Sequence, residues 1–338
     1  MKRRWFCFLG LCVTLLWGTT GCGTFMARRM IQAPNTYPTW FAPEAPVLLG
    51  FPTNLFRSFP KQFVDVGPPD AQLCYRIIEP ADYHFTVTST NWTEYGLKRT
   101  DFEFHAEIPT RTNQWTAHPK GTVLLIHGYA LAQFSMMPWA LRLAEDGWRC
   151  VLLDLRGHGK STGDKIYYGL QEPHDLTQLL DKLTSTGQLQ QPVAAFGESY
   201  GAVMAMRLKA EDPRVQTVVA ITPYAGLSNA VMNLRYEYAS WVPKTLTRAG
   251  MKKLPKLLNT SASELDTTTV LSQHPESVLL IAADDDKIAP LSEVKQLRKL
   301  AASDSKLIVV PNSTHETVTY HFGDLTAPVL AWLSEKTK

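Results

Sequence analysis

Six short, largely apolar runs set the fold class: 122–126, 150–153, 193–196, 215–221, 278–282 and 307–310. A strand with one face in water alternates apolar and polar residues. A continuous run demands burial on both faces, as in a parallel sheet covered by helices. Helical patterns fill the gaps. Trp139, Ala140, Leu143 and Ala144 share a face within 136–145, and Leu176, Leu179, Leu180 and Leu183 do so within 175–183; 201–210 and 291–300 are similar. Strand, helix, strand at this rhythm predicts a doubly wound α/β body, a mostly parallel sheet with helices on both faces. Two further strands are expected at 83–90 and 97–108, rich in Thr and aromatics, as the antiparallel edge of a mixed sheet. From 223 to 274 the rhythm breaks into helical pieces, 227–241, 244–258 and a short one near Val270. Tyr236, Tyr238 and Trp241 make this insertion aromatic, and its basic run, Lys244, Arg248, Lys252, Lys253 and Lys256, reads as a solvated helix face.

The chemistry sits where these strands end. Gly197-Glu198-Ser199-Tyr200-Gly201 follows one strand and opens a helix, the context a G-x-S-x-G turn requires. A serine on so tight a turn needs neighbours without bulk, and the helix that starts at Tyr200 offers unpaired N–H groups to a developing oxyanion. A serine hydroxyl also needs a base, commonly His oriented by a carboxylate. His315 follows the strand 307–310, and Asp286 follows the strand 278–282, so both are expected at the same sheet edge as Ser199. Asp284 and Asp285 stand beside Asp286; either could orient the His instead, or the three could bind a cation. His174 and His274 neighbour prolines and read as exposed loops.

Other chemistries find little support. Gly159-Lys160-Ser161 imitates the end of a phosphate-binding loop, but position 154 is Asp where that loop needs Gly. The strand 122–126 ends in His127-Gly128 and lacks G-x-G-x-x-G, which argues against dinucleotide binding. No Cys or His cluster has metal-ligand spacing, so neither metal nor cofactor is expected. Five scattered cysteines do not form a disulfide framework, and Cys150, in an apolar run, reads as a small buried hydrophobe.

Taken together these pieces resemble the α/β-hydrolase superfamily. Ile126-His127-Gly128-Tyr129 matches its HG turn, Asp154-Leu155-Arg156-Gly157-His158-Gly159-Lys160-Ser161 resembles its D-x-R-G-x-G-x-S turn, and the Ser199, Asp286, His315 order is the one it uses. The resemblance covers about 83–335 and is nearest to monoglyceride-lipase-like and lysophospholipase-like members. It implies an α/β-hydrolase fold with a helical lid at about 223–274, a catalytic triad of Ser199, Asp286 and His315, and oxyanion donors at the backbone N–H groups of Tyr129 and Tyr200. It makes the 154–161 turn, His158 included, structural. It implies hydrolysis of a lipid or small acyl carboxylic ester through an acyl-enzyme. The same triad serves amidases, thioesterases and peptidases, and halide-dependent peroxidases and C–C hydrolases share it. A reading of a different class is a non-catalytic envelope lipoprotein that keeps the fold as a binding module.

The first residues read separately from this body. Lys2-Arg3-Arg4, an apolar run from Trp5 to Trp17 and the small residues Thr19-Thr20-Gly21 form a secretory signal pattern, too short for a membrane-spanning helix. With Cys22 the end resembles a bacterial lipoprotein signal, although Thr19 stands where such signals usually carry Leu. The resemblance implies lipidation of Cys22 and anchoring in the cell envelope; Gly23, rather than Asp, leans toward the outer membrane. The net charge of +3 then belongs to the signal, since without 1–21 the chain carries 31 basic residues against 31 acidic ones. That balance gives no support for a nucleic-acid partner. Residues 22–72, punctuated by Pro34, Pro38, Pro43, Pro46, Pro52, Pro60, Pro68 and Pro69, read as a tether and an irregular extension packed by aromatics. One α/β-hydrolase domain is expected over 73–338.

Overall fold

The computed structural model describes residues 19–36, 53–94, 97–109 and 117–337. The expected signal segment lies, up to position 18, outside the described residues. The strands are β1 (Gln62–Val66), β2 (Ala71–Ile78), β3 (Thr86–Glu94), β4 (Leu97–His105), β5 (Thr122–Ile126), β6 (Arg149–Leu153), β7 (Val193–Glu198), β8 (Val215–Ile221), β9 (Val278–Ala283) and β10 (Lys306–Val310). The α-helices are α1 (Thr19–Met30), α2 (Thr53–Ser58), α3 (Met137–Glu145), α4 (Glu172–Ser185), α5 (Tyr200–Glu211), α6 (Leu227–Tyr238), α7 (Lys244–Leu257), α8 (Thr267–Gln273), α9 (Leu291–Leu300) and α10 (Phe322–Lys336).

Eight strands form one sheet in the order β1-β2-β6-β5-β7-β8-β9-β10. β1 pairs with β2, and β2 with β6, antiparallel; the other neighbours are parallel. Every residue of β5 is buried, which is what its continuous apolar run requires. Leu124 and Ile126 enter one core with Leu176 and Leu179 of α4 and Val203 of α5. Val123 and Leu125 enter the other, with Trp139 of α3 and Val329 and Trp332 of α10. Trp139 lies at 4.9 Å from the Phe196 ring and 4.5 Å from the Phe322 ring, and its indole N–H donates to the Thr319 carbonyl at 2.8 Å. The fold is thus a mostly parallel sheet with helices on both faces and a helical insertion, α6 to α8, between β8 and β9.

Three placements differ from the sequence expectations. β3 and β4 do not edge the main sheet; they form a two-stranded sheet of their own. Their aromatics explain why. Phe102 and Phe104 each lie 5.6 Å from the Tyr320 ring, and Phe85 lies 5.4 Å from the Phe322 ring, so the hairpin packs on the entry to α10. The antiparallel edge is instead β1 and β2, so the sheet begins at Gln62, ahead of the boundary expected at 73. Finally, 19–36 is docked structure and not a tether. Ala27 and Ala33 are fully buried, and the Ala33 and Asn35 N–H groups donate to the Asp164 and Gly157 carbonyls at 3.1 and 3.0 Å. Aromatics do hold the next described part: Phe56 meets Phe134 edge-on at 5.0 Å, and the Arg76 guanidinium sits 4.4 Å above the Phe56 ring.

Cys74 and Cys150 are buried and free. Register explains it: Cys150 pairs with Ile78, four residues along β2 from Cys74. Among the described residues no helix is long and apolar enough to cross a membrane.

Candidate active site

The parallel strands deliver their loops to one edge. Ile126 pairs with Gly197 and Ile221 with Glu198, so the HG turn and the serine turn leave the sheet side by side. Ser199 lies between β7 and α5 with φ 53° and ψ −112°. That left-handed conformation costs a non-glycine residue roughly 1–3 kcal/mol and persists only where packing enforces it. The enforcement comes from two glycines. A Cβ at Gly197 would lie 2.1 Å from the Gly201 carbonyl oxygen, and a Cβ at Gly201 would lie 2.1 Å from the Ile126 carbonyl oxygen.

The structure brings Ser199, His315 and Asp286 together. His315 Nε2 lies 2.9 Å from Ser199 Oγ, and His315 Nδ1 lies 2.8 Å from Asp286 Oδ2. A carboxylate can only accept, so Nδ1–H donates to Asp286 and Nε2 is left to accept the serine proton. Asp286 Oδ1 is held in turn by the Ile288 and Ala289 N–H groups, both at 2.7 Å. The other two aspartates are occupied elsewhere. Asp284 accepts from the Asn312 and Ser313 N–H groups at 2.9 and 3.0 Å, bracing the turn ahead of His315, and Asp285 pairs with Lys287 in solvent.

Burial alone would lower the His315 pKa. The hydrogen bond and charge of Asp286, then the charges of Glu316 and Glu198, outweigh it and leave the imidazole above its usual 6.5. Glu198 itself was not singled out in the sequence. Its carboxyl is buried beside the nucleophile's turn, and burial raises its pKa to about 7. A charged residue between an apolar strand and the turn serine was the only available signal.

The other expected residues take places around this centre. Tyr129 and Tyr200 both line the cavity beside Ser199. The two histidines of the family-like turns are structural. His127 Nδ1 lies 2.8 Å from the Gly128 carbonyl, and its Nε2 accepts from the Leu155 N–H at 3.0 Å. Burial lowers the His127 pKa to about 4 and the His158 pKa to about 3. Asp154 accepts from the Gln133 and Lys160 N–H groups at 2.7 and 2.8 Å, and Arg156 makes a buried bidentate pair with Asp175 at 2.7 Å. His174 and His274 are exposed, and neither lines the cavity. Cys22 is half-buried in the first turn of α1.

The cavity at Ser199 has a volume of about 210 Å³. Its walls are mainly apolar and aromatic, with Tyr224, Leu227, Val231 and Leu234 from the insertion and its approach, and Arg29 and Arg235 as its charged members. From the insertion, the Tyr238 hydroxyl donates to Glu316, the residue after His315.

Comparison with known proteins agrees with this architecture. The family model described as serine aminopeptidase, S33 (Hydrolase_4) matches residues 117–278. An uncharacterized protein, YqkD of Bacillus subtilis (strain 168), is 24% identical over 199 residues, which cover 57% of this chain and 64% of that protein, somewhat under two thirds of its length. The Pyrococcus furiosus esterase Pf2001 superimposes with a TM-score of 0.62 at 18% identity, covering 87% of this chain and 98% of that one. A bromoperoxidase from Bacillus anthracis reaches 0.53 at 16% identity, covering 81% and 100%. Est1E from Butyrivibrio proteoclasticus, with ferulic acid bound, reaches 0.53 at 15% identity, covering 81% and 98%. At these identities the likeness is one of fold. Sheet order, loop placement and these likenesses together give the chain the α/β-hydrolase fold.

Proposed function

We propose that the chain is a serine hydrolase that cleaves a carboxylic ester of an apolar acyl group. The observation that carries this reading is the hydrogen-bonded line Asp286–His315–Ser199, opening into an apolar cavity. In the proposed reaction Ser199 Oγ attacks the ester carbonyl while His315 Nε2 takes its proton, and Asp286 stabilises the imidazolium. The Tyr129 and Tyr200 N–H groups stabilise the oxyanion, each such donor being worth about 2.7–4 kcal/mol. The imidazolium returns its proton to the leaving alkoxide. Water then attacks the acyl-enzyme with His315 as base, releasing the carboxylic acid and restoring Ser199. The insertion α6 to α8 acts as the lid, with Tyr238 and Glu316 linking it to the His315 loop.

An ester is favoured over the free amino terminus that an aminopeptidase takes. Such a terminus is a cation and calls for a carboxylate, whereas the charged residues lining this cavity are Arg29 and Arg235. The test is labelling with a fluorophosphonate together with hydrolysis of short p-nitrophenyl esters. The expected result is one adduct on Ser199 and loss of both signals in Ser199→Ala. Full activity in Ser199→Ala refutes the assignment, and absence of an adduct favours a non-catalytic binding module.

The proposal extends to location: a lipoprotein of the bacterial envelope, outer membrane in preference to inner, anchored through acylated Cys22. Cys22 lies one helical turn before Met26, a cavity residue. Exposed aromatics that suit a membrane interface lie on α1 and on the insertion: Phe25 is 49%, Tyr236 70% and Trp241 73% exposed. The intact mass of the mature protein tests this; an unmodified chain that keeps Met1 refutes it.

A further inference from the structure

The cavity at Ser199 is not built by the hydrolase body and the insertion alone. Met26, Arg29 and Met30 of α1 line it alongside Ser199, Leu234 and Val242. Helix α1 is held there at close range. A Cβ at Gly250 of α7 would lie 2.8 Å from Met26 Cγ and 3.0 Å from Met30 Cε, so bare backbone of α7 is the seat for both methionines. From the other side, a Cβ at Gly23 would lie 3.0 Å from the Ala249 carbonyl oxygen. The end of α1 is fastened too. The Tyr168 hydroxyl donates to the Met30 carbonyl at 2.6 Å, and the Ile166 N–H donates to the Ile31 carbonyl at 2.9 Å. Ala27, between the two methionines, is fully buried.

We infer that α1 is a wall of the acyl site, with Met26 and Met30 setting how long an unbranched acyl chain the site accepts. The inference rests on the reading that Ser199 receives an acyl group. Methionine suits such a wall: its thioether is apolar and its three rotatable bonds let it close on chains of different length. Met30 is buried and also supports α1, whereas Met26 is half-buried and lines the same cavity. Met26 is therefore the position at which wall and scaffold can be separated. Arg29, an exposed residue between the two, places positive charge at the same wall.

The test uses the full chain and p-nitrophenyl esters graded from acetyl to dodecanoyl, with kcat and KM taken for each. In Met26→Ala the preferred chain is expected to lengthen. The ratio of long-ester to short-ester kcat/KM should rise by about tenfold for each methylene newly accommodated. Met26→Trp should shift the preference the opposite way, and Met26→Leu should track the wild type. A second ladder needs no turnover: Tm shifts of Ser199→Ala protein with saturated fatty acids of the same lengths, with and without the Met26 changes. It should move in the same directions. Absence of a fluorophosphonate adduct on Ser199 would remove the acyl-enzyme reading while leaving this second ladder to decide the wall. Ladders that superimpose for Met26→Ala, Met26→Trp and wild type, or that show no length dependence in either assay, overturn the inference.

Discussion

Replacing Glu198 by Gln removes one charge and almost no volume from the turn that carries Ser199. In the folded chain Glu198 is 5% exposed, and burial raises its pKa from 4.5 to about 7. The sign follows from linkage. An acid whose folded pKa lies above its unfolded value binds more protons folded than unfolded between the two, so stability falls as pH rises through that window. At 1.36 kcal/mol per tenfold in proton affinity, the loss between about pH 4.5 and pH 7 amounts to about 3 kcal/mol. Glutamine does not titrate. The difference in unfolding free energy, Glu198→Gln minus wild type, should therefore be constant below about pH 4 and climb by about 3 kcal/mol by pH 8. Urea unfolding at a series of pH values, with m unchanged, measures it. Any constant gain or loss from the altered hydrogen bonding moves the whole line and leaves its slope. Kinetics supply an independent reading. Ionised Glu198 helps raise the His315 pKa, and His315 must be neutral to act as base, so the acid limb of kcat/KM should move to lower pH in Glu198→Gln. A pH-independent stability difference and an unmoved acid limb together refute the reasoning.

Two further perturbations separate site from scaffold. Asp286→Asn keeps the shape but favours the wrong His315 tautomer, and kcat for ester hydrolysis should fall about 10⁴-fold while the urea midpoint changes far less. A fall under tenfold would mean that another group orients His315. Asp175→Ala leaves the guanidinium of Arg156 buried without its bidentate partner and should destabilise by about 3–5 kcal/mol in urea unfolding, with Arg156→Met/Asp175→Leu regaining most of it. A loss under 1 kcal/mol would place water at the Arg156 side chain in solution.

How much of this was legible depended on whether the signal was local. The run 122–126 points to β5 from its own residues, because Thr122 and the four apolar side chains after it, set between Gly121 and Gly128, suit a short strand covered on both faces. The same holds for 193–196 and 278–282, which form β7 and β9. Alternation in 101–105 identified a strand but carried no information about its partner surface. That was decided by Phe102 and Phe104 meeting Tyr320, more than two hundred residues away. The pair Pro68 and Pro69 disguised a turn between two sheet strands as irregular chain, since a proline pair marks a break and not what it joins. Ser199, Asp286 and His315 were legible because each follows a strand whose end the apolar runs had already located. The crowding of Asp284, Asp285 and Asp286 left the partner open until backbone N–H groups were seen to claim Asp284 and Lys287 to claim Asp285. Met26 and Met30 gave no signal, because their role depends on α7 passing beneath them at Gly250.

The proposed oxyanion donors show how the fold can hold a site ready before substrate arrives. Gly201 of the serine turn rests against the carbonyl ends of β5, and a Cβ placed at Gly128 would lie 3.7 Å from Ser199 Cβ. The HG turn and the serine turn are therefore one packed unit. The side chains of Tyr129 and Tyr200 then fix the orientation of their own backbones. Their rings meet edge to face at 6.3 Å, and His158 lies 6.1 Å from one and 6.0 Å from the other. The Tyr200 hydroxyl donates to Glu172 at 2.9 Å, and Glu172 also accepts the Tyr167 and Gly169 N–H groups at 2.6 and 2.8 Å. An N–H fixed by packing of this kind needs no rearrangement when charge develops on a carbonyl oxygen, the condition under which such donors contribute most. The turn histidines serve the same end. Both are kept neutral by burial, so they pack as flat, uncharged spacers.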